Sequence, residues 1–243
     1  MDSPLTQLKL PAEKDADSFT TSIPYYKGCF FLQECEYAVG RERFDAFIQK
    51  YMASFQFQSL TTEAFLDFMK AELPEVFEKV DVYKWIYETG LPEVWHRHQS
   101  HLYDEVQQAL DRYEQGIKPT REQIQNWHRY QILSFLQGLP RRISIEDCQY
   151  FDDILELEKR NDVAFFSYFY VIAIASGYEV ILSRVEQFMG KIGRMLYVLP
   201  IVRVMIDTDW SREHIRPLFE RVRDRHHQIT VHAMERLLRN AGL

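Results

Sequence analysis

Two adjacent tyrosines at the start of an apolar helix are the side chains of this sequence best suited to chemistry. Tyr25 and Tyr26 follow Pro24 in the segment IPYYKG. Because proline is favoured in the first turn of a helix, a tyrosine here lies at an exposed helix start, where its hydroxyl can point at a ligand. The alternative is that both tyrosines are packing aromatics, as most are in globular proteins. Their spacing alone leaves both interpretations open.

Arg194 is a second candidate, in the segment GRMLYVLP. It follows Gly193 at a predicted helix start. From that position a planar guanidinium can hold a carboxylate with two parallel hydrogen bonds. The alternative is that Arg194 forms a structural ion pair.

The spacing of the histidines does not predict a metal site. On a helix, His98 and His101 share a face while His96 points elsewhere, and no acidic or cysteine ligand at a helical spacing completes a closed site. We therefore expect no metal ligands in this chain. His226 and His227 are adjacent, so they face different sides of a helix, and both are expected on the solvated surface.

The motifs of self-sufficient enzymes are missing from the sequence. It contains no H-E-x-x-H, no Gly-rich phosphate loop, no G-x-S-x-G and no EF-hand pattern. These residues do not favour a free-standing enzyme.

Composition narrows the class of protein. With 243 residues, of which 46% are hydrophobic, the chain can bury a core, and its net charge of −7 makes nucleic acid an unexpected partner. The three cysteines, Cys29, Cys35 and Cys148, form neither a C-x-x-C site nor a secreted disulfide framework, which favours a cytoplasmic location. The longest apolar stretch, 163–175, is shorter than the roughly 20 residues that a membrane span needs. We therefore expect a soluble protein without membrane contact.

Apolar residues recur at spacings of three and four, without sustained alternation, and this pattern predicts an all-α fold. Thr120 with Gln123, and Ser144 with Asp147, have the spacing of helix N-caps. The predicted helices cover residues 25–39, 42–55, 61–72, 81–87, 95–115, 121–137, 146–158, 161–175, 179–189, 194–206, 211–224 and 228–238.

Two domains are expected, residues 1–92 and 93–243. Gly90 and Pro92 interrupt the helical pattern, and this places the boundary there. From about residue 95 onward the helices are joined by short turns, which favours antiparallel helix pairs stacked into a solenoid.

Three phrases resemble a known family. They are IPYYKG from Ile23, FQFQSLTTEAFLDF from Phe55 and WIYETGLP from Trp85, and weaker likenesses follow at GRMLYVLP and HHQITVHAM. In this order they resemble the zinc metalloaminopeptidases of the membrane-alanyl-aminopeptidase family, most closely the leukotriene-A hydrolase branch. The resemblance covers essentially the whole chain. It implies the helical end of a thermolysin-like catalytic domain, followed by a HEAT/armadillo-like α-superhelical domain.

The resemblance also implies roles for residues. Tyr25 matches the tyrosine that donates a hydrogen bond to the oxyanion of the tetrahedral intermediate, and Arg194 matches a basic residue that holds the carboxylate of a short peptide. The chain departs from the branch at Tyr26, where the branch has Glu, at Leu196, where it has a second basic residue, and at Thr20, where it has a further tyrosine. These departures weaken the expectation of carboxylate recognition and of epoxide hydrolysis.

The resemblance places the zinc ligands and the general base of the family upstream of this chain. We therefore expect the C-terminal fragment of a zinc aminopeptidase, with no cofactor in this chain, inactive alone and partnered by the upstream catalytic half. Apolar residues on more than one face of the helix that starts at Tyr25 predict exposed apolar surface and self-association. The alternative is a non-catalytic helical module that binds a partner protein.

Overall fold

The computed structural model describes residues 6–10, 22–97 and 99–243. These residues contain helices and turns and no β-strand, so the all-α prediction is confirmed for the described part of the chain. Two compact units are present, residues 1–98 and 99–243. The domain boundary at residues 92 and 93 stays a prediction.

The described residues of the first unit, 6–10 and 22–97, form five helices. They are α1 (Ile23–Val39), α2 (Arg41–Phe55), α3 (Thr62–Glu72), α4 (Pro74–Lys79) and α5 (Val82–Tyr87). Their apolar faces meet in a core that includes the fully buried side chains of Met69, Leu73 and Trp85. Burial of such side chains is the main stabilising contribution to a unit of this size.

The second unit is built around one helix that is apolar on all sides. Helix α11 (Val163–Ala175) packs against α8 (Arg129–Gly138), α9 (Ile145–Leu155), α12 (Leu182–Lys191) and α13 (Met195–Asp207). A helix without a polar face must be surrounded by protein, and this explains its central place. The remaining helices are α6 (His101–Glu114), α7 (Arg121–Asn126), α10 (Leu157–Arg160), α14 (Asp209–Val222) and α15 (Gln228–Asn240), with 3₁₀ turns at Glu179–Ile181 and Arg223–Arg225.

Both predicted caps are present. Thr120 Oγ1 accepts a hydrogen bond from the Gln123 amide at 3.2 Å, and the Thr120 amide donates to Gln123 Oε1 at 2.9 Å, so α7 begins with a complete capping box. Ser144 Oγ accepts from the Asp147 amide at 3.0 Å at the start of α9. Both signals are local, and the fold preserves them.

The observed helices depart from the predicted ones at several places. The helix expected over 121–137 is two helices, because His128 starts α8 with its own cap: its ring nitrogen accepts from the Tyr130 amide. The helix expected over 146–158 ends at Leu155, since Glu156 adopts a left-handed conformation with φ of 45°. Pro74 starts α4, a helix that the periodicity did not predict.

The helix expected over 95–115 begins only at His101. Residues 95–97 are instead held by tertiary contacts: Trp95 packs on Phe30 with ring centroids 4.8 Å apart, and the His96 amide donates to Glu34 Oε1 at 2.7 Å. These contacts to α1 outweigh the local helical preference.

Candidate functional site

The first turn of α1 presents Tyr25 and Tyr26. The helix begins at Ile23, two residues before the predicted start, with Pro24 in its first turn. The amides of Tyr25 and Tyr26 each donate to the Ser22 carbonyl oxygen at 3.1 Å. Tyr25 is 78% exposed and Tyr26 64% exposed. Neither phenol therefore packs in the core of this unit, and Tyr25 makes no side-chain hydrogen bond with any described residue.

Lys27, one residue later, is buried. Its ammonium donates to the carbonyl oxygen of Glu88 at 2.7 Å and to that of Thr6 at 3.1 Å. Burial lowers the pKa of Lys27 below its usual value, although the nearby Glu88 charge acts in the opposite direction. Lys27 thus joins the start of α1 to two segments that are distant in sequence. The sequence pattern assigned no role to it.

The two segments that Lys27 joins also bond to each other. The Lys9 amide donates to the Ile86 carbonyl oxygen at 3.0 Å, and the Gly90 amide donates to Thr6 Oγ1 at 2.8 Å. Gly90 has a φ of 70°, a conformation that favours glycine. We call this arrangement of residues 6–9 against 86–90 the end clasp. It holds the WIYETGLP phrase against the helix that carries Tyr25.

The second phrase, FQFQSLTTEAFLDF, forms a turn and a helix start. Thr61 Oγ1 caps α3 by accepting from the Ala64 amide at 3.2 Å. Phe65 and Phe68 of α3 pack against Tyr51 of α2, with ring centroids 5.5 and 6.1 Å away. Phe57, in the turn, is fully exposed and has a φ of 61°. This phrase therefore contributes mainly to packing.

In the second unit, Arg194 is the N-cap residue of α13 and is exposed. Its guanidinium carbon lies 5.7 Å from the centre of the Tyr197 ring, and Arg194 forms no ion pair with the described residues. The alternative of a structural ion pair is therefore not supported within this part of the chain. The guanidinium is available to a ligand.

The turn before Arg194 is fixed from α15. Thr230 Oγ1 donates to the Gly193 carbonyl oxygen at 2.9 Å. A Cβ atom at Gly193 would lie 3.3 Å from His226 Nδ1, closer than most real contacts. The backbone here can approach the ring because residue 193 is glycine.

The expectation that His226 lies on the solvated surface is wrong. The ring is 7% exposed, and neither nitrogen has a hydrogen-bond partner of normal geometry among the described residues. Burial lowers the pKa of His226, while the backbone oxygens of Met189 and Gly193 beside the ring partly oppose this. His227 is exposed, as expected, and its Nδ1 caps α15 by accepting from the Ile229 amide at 3.2 Å.

The other candidate ligands are dispersed. His96 Nδ1 lies 3.0 Å from Oε2 of the buried Glu34, and His101 is exposed at the start of α6. His98 and Thr20 lie outside the described residues. Across residues 6–10, 22–97 and 99–243, no three His, Cys, Asp or Glu side chains are grouped so as to hold a metal ion.

Comparison with known proteins identifies the family. A model of the peptidase family M1 domain matches residues 1–85, and a model of the leukotriene A4 hydrolase C-terminal domain matches residues 127–238. The chain belongs to peptidase family M1. Among similar relatives of this M1 chain, leucine aminopeptidase 2 of Aspergillus terreus is 30% identical over 233 residues, which cover 89% of this chain and 37% of the relative. Leucine aminopeptidase 2 of Aspergillus clavatus is 29% identical over 228 residues, which also cover 89% of this chain and 37% of the relative.

Solved structures agree with this assignment in their fold. Native leukotriene A4 hydrolase from Saccharomyces cerevisiae superimposes with a TM-score of 0.77 and 23% identity, over 100% of this M1 chain and 43% of the yeast protein. The chain therefore has the fold of the C-terminal portion of these M1 relatives and spans less than half of their length. None of its described helices is long and apolar enough to cross a membrane.

Proposed function

We propose that this chain is the C-terminal part of an aminopeptidase in which Tyr25 donates a hydrogen bond to the developing oxyanion of the scissile amide. The observation that carries the proposal is the exposed phenol at a helix start that is fixed by Pro24 and by the buried Lys27. A positioned donor stabilises negative charge most where it does not have to reorganise during the reaction. The exposed hydroxyl, without a partner among the described residues, is available for this role.

Arg194 is the proposed contact for the carboxylate of a short peptide substrate. Its exposed guanidinium can form two parallel hydrogen bonds to a carboxylate, and the turn before it is fixed by Thr230. Leu196, 60% exposed, adds an apolar surface where the branch has a second cation. We therefore expect weaker carboxylate recognition than in that branch and do not propose epoxide hydrolysis.

The residues of this chain do not fit the zinc ion of the family. The sequence has no H-E-x-x-H, and the described side chains form no metal-binding group. We therefore propose that the metal ligands come from an upstream catalytic half and that the 243 residues are inactive alone. When bound there, zinc would supply an activated water.

The proposed docking surface for that upstream half is the exposed side of α1, formed by Tyr25, Tyr26 and Cys29. Phe31, by contrast, is buried in the core of the first unit, so this surface is narrower than the sequence predicted. Without the upstream half, the surface is available for self-association.

The cysteines of the described residues are free thiols, which supports a reducing, cytoplasmic location.

The test uses the chain mixed with the polypeptide encoded in frame upstream of it. We expect aminopeptidase activity only in the mixture. A Tyr25→Phe change should lower turnover by about 100- to 1,000-fold, the usual cost of one oxyanion donor, and leave zinc content unchanged. Tyr26→Phe is the matched control, because it removes a neighbouring exposed hydroxyl, and its turnover should stay close to that of the unchanged mixture.

Arg194→Gln should raise the KM for peptides with a free carboxylate and leave hydrolysis of aminoacyl anilides unchanged. Chelator-sensitive activity of the 243 residues alone would contradict the division of the site. Normal turnover of the mixture that contains Tyr25→Phe would show that Tyr25 does not stabilise the oxyanion. A mixture that binds but stays inactive would favour the alternative of a non-catalytic helical module.

A further inference from the structure

A cavity of about 360 Å³ opens on the second unit, beside α10, α11 and α12. Neither Tyr25 nor Arg194 lines it, so it is separate from the residues of the proposed peptidase function. Its volume lies near the lower limit of small-molecule sites, which restricts an occupant to a small compound.

The floor of the cavity is aromatic. Phe166, Tyr170 and Phe188 form a triangle, with ring centroids 5.5 to 5.9 Å apart. Tyr170 and Phe188 are buried, and Phe166 is partly buried. Such a floor favours an apolar side chain of the ligand over water.

The rim of the cavity carries charges of both signs. Arg184 is oriented by Asp152, because one guanidinium nitrogen lies 2.5 Å from both carboxylate oxygens. Its other nitrogens make no hydrogen bond with the described residues. Lys191 and Glu158 are exposed on the same rim, and neither has an ion-pair or hydrogen-bond partner within the described part of the chain. Lys191 and Glu158 therefore remain unpaired around an apolar floor, and Arg184, although paired with Asp152, keeps two nitrogens free of hydrogen bonds to the described residues.

The larger cavity of the first unit shows that this arrangement is not general. It is also lined by cations, but Lys50 lies 2.6 Å from Glu72, and Arg43 lies 3.0 Å from Glu75. These cations are paired within the protein. Beside α12, by contrast, Lys191 and Glu158 have no ion-pair partner among the described residues, and the floor is aromatic.

We propose that this cavity binds a free α-amino acid with a large apolar side chain. Such a ligand carries an ammonium and a carboxylate on one carbon atom, with an apolar group beside them. Glu158 would accept hydrogen bonds from the ammonium, and Lys191 and Arg184 would donate to the carboxylate. The side chain would rest on the three aromatic rings. The proposal does not depend on the peptidase function proposed above.

Direct binding to the 243-residue chain tests the proposal, with L-phenylalanine as the probe in ligand-detected NMR or calorimetry. N-acetyl-L-phenylalanine lacks the ammonium and L-phenylalaninamide lacks the carboxylate. Each should bind roughly tenfold or more weakly than L-phenylalanine, because each loses one charged hydrogen-bonding group.

The variants assign each charge to its residue. Glu158→Gln should weaken the binding of L-phenylalanine and remove its advantage over the N-acetyl compound. Lys191→Gln should reduce its advantage over the amide, because Arg184 still donates to the carboxylate. Lys159→Gln is the matched control, because Lys159 neighbours Glu158 but pairs with Glu156, and it should leave affinity unchanged. Arg194→Gln should also leave affinity unchanged, and this separates the cavity from the proposed substrate site.

Several results would overturn the proposal. The first is no binding of L-phenylalanine at millimolar concentration. The second is binding of N-acetyl-L-phenylalanine and of L-phenylalaninamide with the same affinity as L-phenylalanine. The third is full binding by both Glu158→Gln and Lys191→Gln, or loss of binding in Arg194→Gln, which would place the amino acid elsewhere.

Discussion

Replacing Lys27 by methionine tests whether the buried ammonium holds the first unit together. Methionine keeps most of the apolar stem but removes the donor of both hydrogen bonds, at 2.7 and 3.1 Å, and leaves the carbonyl oxygens of Glu88 and Thr6 without it. Hydrogen bonds to charged groups contribute about 1.5–3 kcal/mol each, and the desolvation of the ammonium offsets part of their sum. We therefore expect the free energy of unfolding to fall by about 2 kcal/mol.

Two assays measure this effect. Chemical denaturation gives the global change, and amide hydrogen exchange gives the local one. The amides of Lys9 and Gly90 are hydrogen-bonded in the end clasp, and an opening made easier by about 2 kcal/mol should raise their exchange rates roughly thirtyfold. Lys79→Met is the matched control. Its ammonium also donates to a carbonyl oxygen, that of Ala38 at 2.6 Å, but on the exposed surface, so the change should cost less than about 0.5 kcal/mol.

The pH dependence provides an independent check. The pKa of Lys27 in the folded protein lies below its usual value, so between these two values the unfolded chain binds more protons. The stability of the unchanged protein should therefore rise relative to Lys27→Met as the pH increases through the folded-state pKa toward 10.5. A variant with unchanged stability and unchanged exchange at Lys9 and Gly90 would refute this account of the end clasp.

Two further changes test individual residues. His226 has a lowered pKa in the folded protein, so the unfolded chain binds more protons just below 6.5. As the pH falls from 7.5 to 5.5, the unchanged protein should lose stability relative to His226→Leu, measured by urea unfolding, with His232→Gln as an exposed control. Parallel curves would contradict the burial. Phe57→Gly should stabilise the protein by about 1 kcal/mol, because glycine accepts a φ of 61° without strain, whereas Phe57→Ala should not. Equal stability of the Gly and Ala variants would show that Phe57 is unstrained.

Local signals in the sequence predicted much of the fold. Thr120 and Ser144 act as caps because their partners lie three residues away, so the pattern contains the whole interaction. Pro24 similarly placed Tyr25 at an exposed helix start. Apolar periodicity located α1, α2, α3 and α11 to within two residues at each end.

The features that the sequence could not predict depend on distant partners. Lys27 is buried because the carbonyl oxygen of Glu88, 61 residues away, accepts its hydrogen bond. Residues near Trp95 leave the helical conformation because α1 offers contacts to Trp95 and His96. His226 is buried beside Gly193, which a helical-face argument cannot detect. The roles of Tyr25 and Arg194 stay predictions, because they depend on a substrate.

The end clasp also constrains the order in which the first unit folds. Its hydrogen bonds join Gln7 to Tyr87 and Thr6 to Gly90, across 80 and 84 residues of chain. Closing a loop of that length costs more entropy than closing the shorter loops between consecutive helices, such as α1 with α2 and α3 with α4. We therefore expect the clasp to form late, after the consecutive helices have paired. Substitutions within it should then accelerate unfolding and leave the folding rate almost unchanged, so that the clasp affects how long the native unit persists rather than how fast it is reached.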